Sequence, residues 1–451
     1  MREVFYTDDT PANRISYYFL LVFLVTLPFD RFYSELALIG LTAHTLLHPV
    51  RGRVFSWYWP GWLLLSLYLL TMIGTIRSGF SADALGEWEK QLALLLFPLI
   101  AWFSQADWQV FRERLLTAFS VTCLLTILYL YGVACWNVLA FHHPISFLFS
   151  PPFMNHAFSA PIALHATYLS MYCGIAIVVF LQRGLDGRAR RRRWGNLIAA
   201  ALLLMGILQL ASRAVCIAVL LLINILPPYF MLMRRKAGRM SLLFSGTITV
   251  LMVGSLFIIP AFHQRYLMEL QQDLTHTIPK EGSDPRMARW DCAWELIRAS
   301  PLIGYGTGTE TTLLQKKYYE HRLFHSYTYA LNAHDQYISF LLQTGLAGLA
   351  GYLLLIGVGF VQAIRCRDPV FMAALVMIVL VSFSENILSV NKGIFFVSSF
   401  FCLFFSAPET GAGGYRTAGV LKSDSSPSRL MIKRFIFSRL YFWHRVGGTR
   451  R

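Results

Sequence analysis

The feature that most constrains this chain is the length of its uncharged apolar runs. Between positions 196 and 230 the only charged side chain is Arg213. Comparable runs recur from Ile15 to beyond Phe400. Charged residues make up 14% of the 451 positions and hydrophobic ones 56%. A soluble domain carries about 25% charged residues, so lipid is the solvent that fits most of this surface. Backbone groups in hydrocarbon must be satisfied internally, which leaves helices or a closed barrel. The runs are continuous and do not alternate with period two, which excludes an outer-membrane barrel.

The expected spans are 15–29, 34–48, 61–76, 88–103, 115–139, 161–182, 195–211, 213–231, 242–261, 335–363, 370–386 and 393–407. The fold class is therefore an all-α polytopic membrane protein with about twelve transmembrane helices and one large helical loop. The stretch 196–230 is too long for one span and reads as two helices meeting at Ser212-Arg213. The expected organisation is 1–261 for the first helices, 262–334 for the loop, 335–407 for the last helices, and 408–451 for a basic tail. Leu430 to Val446 of the tail mixes Phe, Tyr and Trp with Lys and Arg. It reads either as an amphipathic helix on an anionic leaflet or as a disordered segment.

The net charge of +16 could imply nucleic acid, but the basic residues sit in short segments between apolar runs. Arg51 and Arg53, Arg112 and Arg114, Arg188 to Arg193, Arg234 to Arg239, and Arg365 and Arg367 all fall on one side, with the termini. This is the positive-inside pattern. It places both termini in the cytoplasm, leaves the loops at Asp30, Asp83 and His142 to Ala160 outside, and makes membrane lipids the partner rather than nucleic acid. The seven cysteines are scattered, with no close-spaced pair to indicate a metal cluster or a disulfide framework. The first apolar run has no small-residue cleavage site and reads as a span, not a signal peptide. No internal repeat of the inverted-transporter kind is evident.

The chemistry concentrates at the outer face. Arg213 lies there between two apolar helices, where a charge is costly and usually faces a partner or water. With Arg286 in the loop it offers bidentate donors for phosphate oxygens. Lys90, one turn into a span entered from outside, has the same potential. In the loop, Asp284-Pro285 reads as a helix start. Pro301 ends that helix, and Gly304, Gly306 and Gly308 form a turn able to approach a ligand. No Gly-Lys-Ser/Thr follows, so this is not a P-loop. His334 and Asp335 sit where the loop re-enters the membrane, as an interface pair or as a base and its neighbour. Gly345, Gly348 and Gly351 on the next span suit close helix packing. His321 and His325 have zinc-compatible spacing, but the glutamate of the metalloprotease motif is missing and no metal is expected. Glu385 and Lys392 mark a further outer turn, where pairing with each other is the plain reading.

Four blocks together resemble the O-antigen ligase and polymerase superfamily of bacterial envelope glycan assembly. The first is HATYLSMYCGIA from His165. The second is the Ser212-Arg213 pair at a helix top. The third is Arg286 four before Trp290, followed by PLIGYGTG. The fourth is NAHDQYISFLLQTGLAGLAGYL, which carries Asp335 where the family usually has Asn. The resemblance covers roughly residues 60–407. It implies a GT-C-like enzyme of the bacterial inner membrane with a periplasmic loop. Such an enzyme takes a glycan from undecaprenyl diphosphate by inverting, metal-independent transfer, with no cofactor. The ligase branch delivers the glycan to a lipid A-core acceptor, and the polymerase branch to a lipid-linked repeat unit. By position, Arg213 and Arg286 would hold the donor diphosphate and His334 would act on the acceptor hydroxyl. Arg289, Lys90, His165, Ser212 and Asp335 would contribute to substrate binding. A transporter of lipid-linked glycans and a non-enzymatic scaffold are the competing classes.

Overall fold

The computed structural model describes residues 10–49, 59–104, 108–186, 190–234, 238–277 and 283–405. Arg51, Arg53, Arg188, Arg235, Glu281 and the expected basic tail lie outside the described residues.

The described chain is helical and contains no strand. The helices are α1 (Pro11–Thr26), α2 (Arg31–Leu47), α3 (Trp59–Arg77), α4 (Ala82–Lys90), α5 (Leu92–Phe103), α6 (Trp108–Ala140), the short α7 (Asn155–Ser159) and α8 (Ala166–Asp186). They continue with α9 (Arg190–Leu210), α10 (Arg213–Arg234), α11 (Gly238–Ile258), α12 (Pro260–His263) and α13 (Glu269–Asp273). The loop helices are α14 (Arg286–Ala299), α15 (Glu310–Glu320) and α16 (Phe324–Thr328), and the last three are α17 (Gln336–Arg365), α18 (Pro369–Ser382) and α19 (Asn391–Phe405). A helix overlaps each of the expected spans. Four helices are long and apolar enough to cross a membrane, namely α6, α8, α9 and α17, or five if the bent pair α11 to α13 counts as one span. Parts of α3, α10, α18 and α19 are apolar but shorter.

Ser212-Arg213 does separate two helices. Ala211 takes a left-handed φ of 50°, which ends α9 and lets α10 restart at Arg213. The interval expected as one span at 88–103 instead holds two elements. The polar α4 ends at Lys90 and the apolar α5 begins at Leu92. Lys90 is therefore the last residue of a short helix preceding the apolar one.

Two breaks position the loop. The first follows α11: Pro260 supplies no amide hydrogen and the chain turns by 94°, so Pro260–Asp273 runs across the helix ends. The second lies inside α17, where Gly345 has φ 64° and ψ −155°. An unaided break would strand backbone groups in an apolar setting. Here the turn at 301–306 satisfies them. Tyr305 N–H donates to Leu342 O at 2.8 Å, Gly306 N–H to Gln343 O at 2.8 Å, and Leu346 N–H to Pro301 O at 3.1 Å. Thr307 ties the same turn to α3, its Oγ1 donating to Thr71 O at 2.9 Å. The glycine-rich turn thus approaches backbone, not a ligand. A Cβ on Gly308 would lie 2.4 Å from Ala84 N.

Asp335 is the N-cap of α17, its Oδ1 accepting Ile338 N–H at 2.9 Å. Burial pushes its carboxyl up to about 6, against the opposing pull of the Ile338 and Tyr337 amides. Asn would keep the cap without the buried charge. By contrast, α14 begins one residue later than expected, at Arg286. Asp284 spends its carboxylate on Ser326 N–H at 2.7 Å, 42 residues away, and does not cap the helix.

Two outcomes follow for thermal melts in detergent. Gly345→Ala should cost at least about 2 kcal/mol, because its Cβ would lie 2.3 Å from Leu302 O at a φ that alanine resists. Gly357→Ala, in open space on the same helix, should be neutral or stabilising by up to about 1 kcal/mol. For Asp335, a folded-state pKa raised to about 6 means a cost fully present above that pH and relieved as pH falls towards 3.8. Asp335→Asn should therefore melt higher than wild type at pH 7, by at most about 3 kcal/mol, and the gap should close on acidification to pH ~4.

Candidate functional site

Six parts of the chain, at or beside helix ends, converge on one cluster. α8 brings His165 just before its first turn, α10 brings Arg213, and the bent stretch after α11 brings Asp273. The first residue of α14 is Arg286, His334 precedes α17, and Glu385 lies between α18 and α19. Asp273 joins the two arginines of the sequence reading. Arg213 Nη2 donates to Asp273 Oδ2 at 2.6 Å, and Arg286 Nε lies 3.5 Å from the same oxygen. The side chains of Arg213, Asp273 and Arg286 are 15%, 19% and 25% exposed, so all three are largely withdrawn from water while remaining reachable. Arg286 Nη1 also donates to Ser384 O at 3.3 Å, next to Glu385.

Glu385 sits between two imidazoles. His334 Nδ1 is 3.8 Å from Glu385 Oε2, and His165 Nε2 is 3.9 Å from Oε1. These are ion-pair separations, longer than hydrogen bonds. Thr167 Oγ1 donates to Glu385 Oε1 at 3.2 Å. Burial works to raise the Glu385 carboxyl, but His334, His165 and Arg286 outweigh it and hold it below the usual range. Burial pulls the His165 imidazole down, with Glu385 opposing. His156 stacks edge-on against His165 with ring centroids 4.2 Å apart, and burial pushes it down to about 4. At neutral pH the arrangement is therefore a carboxylate flanked by a neutral His165 on one side and by His334 on the other.

His334 is held by its backbone. It adopts φ 50°, and its N–H donates to Asn332 Oδ1 at 3.0 Å. Trp290 Nε1 donates to Ala333 O at 2.9 Å, so the Arg286 and Trp290 pair of α14 anchors the histidine segment as well as supplying a cation. Arg289 lies near Arg286 and Asp273 but makes no ion pair with the cluster. It is buried, donates from Nη1 to Asn332 O at 3.4 Å, and supports the loop carrying His334. Ser212 is buried beside Arg213, with its carbonyl accepting Cys216 N–H.

Lys90 pairs with Glu87 at 2.8 Å and stands apart from the arginines. Lys392 does not pair with Glu385. Its Nζ donates to Thr26 O and Asp30 O at 3.2 Å each and to Ser34 Oγ at 3.0 Å, tying α19 to the turn between α1 and α2. His321 and His325 belong to different elements. His321 pairs with Glu295 at 2.9 Å, while His325 lies in α16 against Tyr329. Among the described residues no group of His, Cys, Asp and Glu is arranged to hold a metal. Asp273, Glu385 and His156 were not singled out in the sequence as site residues. Asp273 is marked by its arginine partners, and Glu385 and His156 by the imidazoles they meet at the helix tips.

Arg265 pairs with Glu269 and lies close enough to act on both Arg213 and Arg286. Three guanidinium groups thus face three carboxylates, Asp273, Glu269 and Glu385. Arg213 Nη1 is buried without a hydrogen-bond partner among the described residues. A buried, unsatisfied cationic donor is arranged for an anion.

No curated protein matches the chain. A family model described as O-antigen ligase matches residues 198–353. The matched stretch runs from within α9 to within α17 and contains Arg213, Arg286, Arg289 and His334. Residues 198–353 are thus similar to the O-antigen ligase family.

Proposed function

We propose that this protein is an inner-membrane glycosyltransferase of the O-antigen ligase type. It transfers a preassembled glycan from undecaprenyl diphosphate to a hydroxyl of a lipid A-core acceptor at the periplasmic face, by metal-independent, inverting displacement. The observation that carries the reading is the pairing of two charge centres: the arginine cluster on Asp273 and the His334–Glu385–His165 array.

The chemistry divides between them. Bond cleavage leaves negative charge on the diphosphate, and preformed cations at that position lower the barrier. Arg213 and Arg286 supply them, with the free Nη1 of Arg213 as the first donor for a phosphate oxygen. The acceptor hydroxyl must lose a proton as it attacks the anomeric carbon. A carboxylate opposite His334 Nδ1 favours a proton on that nitrogen and leaves Nε2 as the acceptor. His334 is then the base and Glu385 stabilises the imidazolium that forms. The span arrangement expected from the sequence, with about twelve crossings and cytoplasmic termini, puts this cluster on the side where the lipid-linked donor is presented. The basic loops of that topology would rest on the opposite leaflet.

Two alternatives remain within the same site. Transfer onto a lipid-linked repeat unit would make the protein a polymerase. A transporter would use the arginines but has no use for a base paired to a carboxylate.

The test is transfer by purified protein in liposomes, with undecaprenyl-diphosphate glycan, lipid A-core and EDTA. Wild type should transfer in EDTA. Arg213→Ala and Arg286→Ala should each lose about 100- to 1,000-fold in kcat, and His334→Ala about 100- to 10,000-fold. Glycan lengthening on the lipid carrier would instead assign the polymerase activity. Movement of labelled donor across the bilayer without transfer would remove the enzyme reading.

The pH dependence has a defined sign. Glu385, held below the usual carboxylate range, stays ionised at neutral pH and loses its charge only on strong acidification. Activity should therefore fall on strong acidification as Glu385 protonates. Glu385→Gln should lower kcat at pH 7 and remove whatever part of that acid limb belongs to the carboxylate. An unchanged kcat and profile in Glu385→Gln would separate Glu385 from the chemistry.

A further inference from the structure

Ala333 precedes His334 and Asn386 follows Glu385, and one carboxylate holds both. Glu310, the first residue of α15, is 4% exposed. Its Oε1 accepts Ala333 N–H at 3.0 Å and Asn386 Nδ2 at 3.2 Å. Its Oε2 accepts Gln343 Nε2 at 3.1 Å and the Ser339 hydroxyl, both on the first turns of α17. Gln343 in turn donates to Ser339 Oγ at 2.9 Å and accepts Gly308 N–H at 3.1 Å, which links the cluster to the glycine-rich turn. Glu310 touches neither the arginine cluster nor the imidazoles. Its four partners come from the His334 segment, the Glu385 segment and α17.

We infer that Glu310 is the positioning residue of the transfer site: through Ala333 and Asn386 its carboxylate fixes how far His334 stands from Glu385. This inference rests on the glycosyl-transfer reading above. The physical argument is one of reach. His334 and Glu385 are 51 positions apart in sequence (385 − 334) and sit on irregular chain between helices. Glu385 is tied to the end of α18 by its N–H on Val381 O at 2.9 Å, but His334 has no such ladder and adopts a left-handed φ. A buried acceptor bonded to the neighbours of both supplies the fixed separation that a base and its carboxylate need. A misplacement of about 1 Å in such a pair costs about 100-fold in rate.

Two variants separate positioning from packing. Glu310→Gln keeps the volume and can turn its carbonyl towards Ala333 and Asn386, giving up the bond from Gln343 and reversing the one with the Ser339 hydroxyl, which would then accept. Glu310→Asp, one methylene shorter, cannot reach the His334 and Glu385 segments together while holding α17. In the liposome assay, Glu310→Asp should lose about 100-fold in kcat with donor KM within about twofold of wild type. Glu310→Gln should stay within about fivefold of wild type. Hydrogen exchange should accelerate by about tenfold at the Ala333 and His334 amides of Glu310→Asp, with the second half of α17 unchanged. The inference is overturned if Glu310→Asp matches wild type in kcat. It is equally overturned if the loss appears as raised donor KM or as faster exchange throughout α17, or if Glu310→Gln falls as far as Glu310→Asp. If wild type itself transfers no glycan, the functional reading fails instead. The exchange pattern then still reports whether Glu310 holds the two segments.

Discussion

A single carboxylate shared by two guanidinium groups closes the end of this protein. Asp273 reaches Arg213 at the tip of α10 and Arg286 at the start of α14, and both contacts depend on the 94° turn after α11. Charges near apolar helices are tolerated when they are paired. The pairing therefore works in two directions. It permits Arg213 to stand between two apolar helices, and it pins the loop across the helix tips. The unpartnered Nη1 of Arg213 keeps the cluster receptive to an anion.

The second organising device is backbone-to-backbone. The 301–306 turn fills the break at Gly345, and Thr307 ties that turn to α3. Through Gln343 the break also communicates with Glu310, and through Glu310 with the segments of His334 and Glu385. The glycines of the motif serve closeness to other backbone.

Much of this was legible in the sequence. The apolar runs located the helices, and the interruption at Ser212-Arg213 marked two helices where a single run of composition was seen. Arg213, Arg286 and His334 could be chosen because a charge or an imidazole at a helix tip has few reasons to be there. Asp273, Glu385 and Glu310 were harder to assign because an acidic residue in a loop is ordinary until its partner is known. The Arg213–Asp273 and Thr167–Glu385 pairs span 60 and 218 residues. For the same reason Lys392 was expected on Glu385 but binds the α1–α2 turn, and Arg289 was expected on substrate but supports Asn332.

The central claim is a division of labour: the arginine cluster binds the donor diphosphate, and His334 serves the acceptor. Binding of undecaprenyl diphosphate to purified protein, followed by native mass spectrometry without acceptor, tests it directly. The account predicts that His334→Ala binds as wild type does, while Arg213→Gln and Arg286→Gln each weaken binding by at least about tenfold. Retained binding in both arginine variants, or an equal loss in His334→Ala, would contradict it.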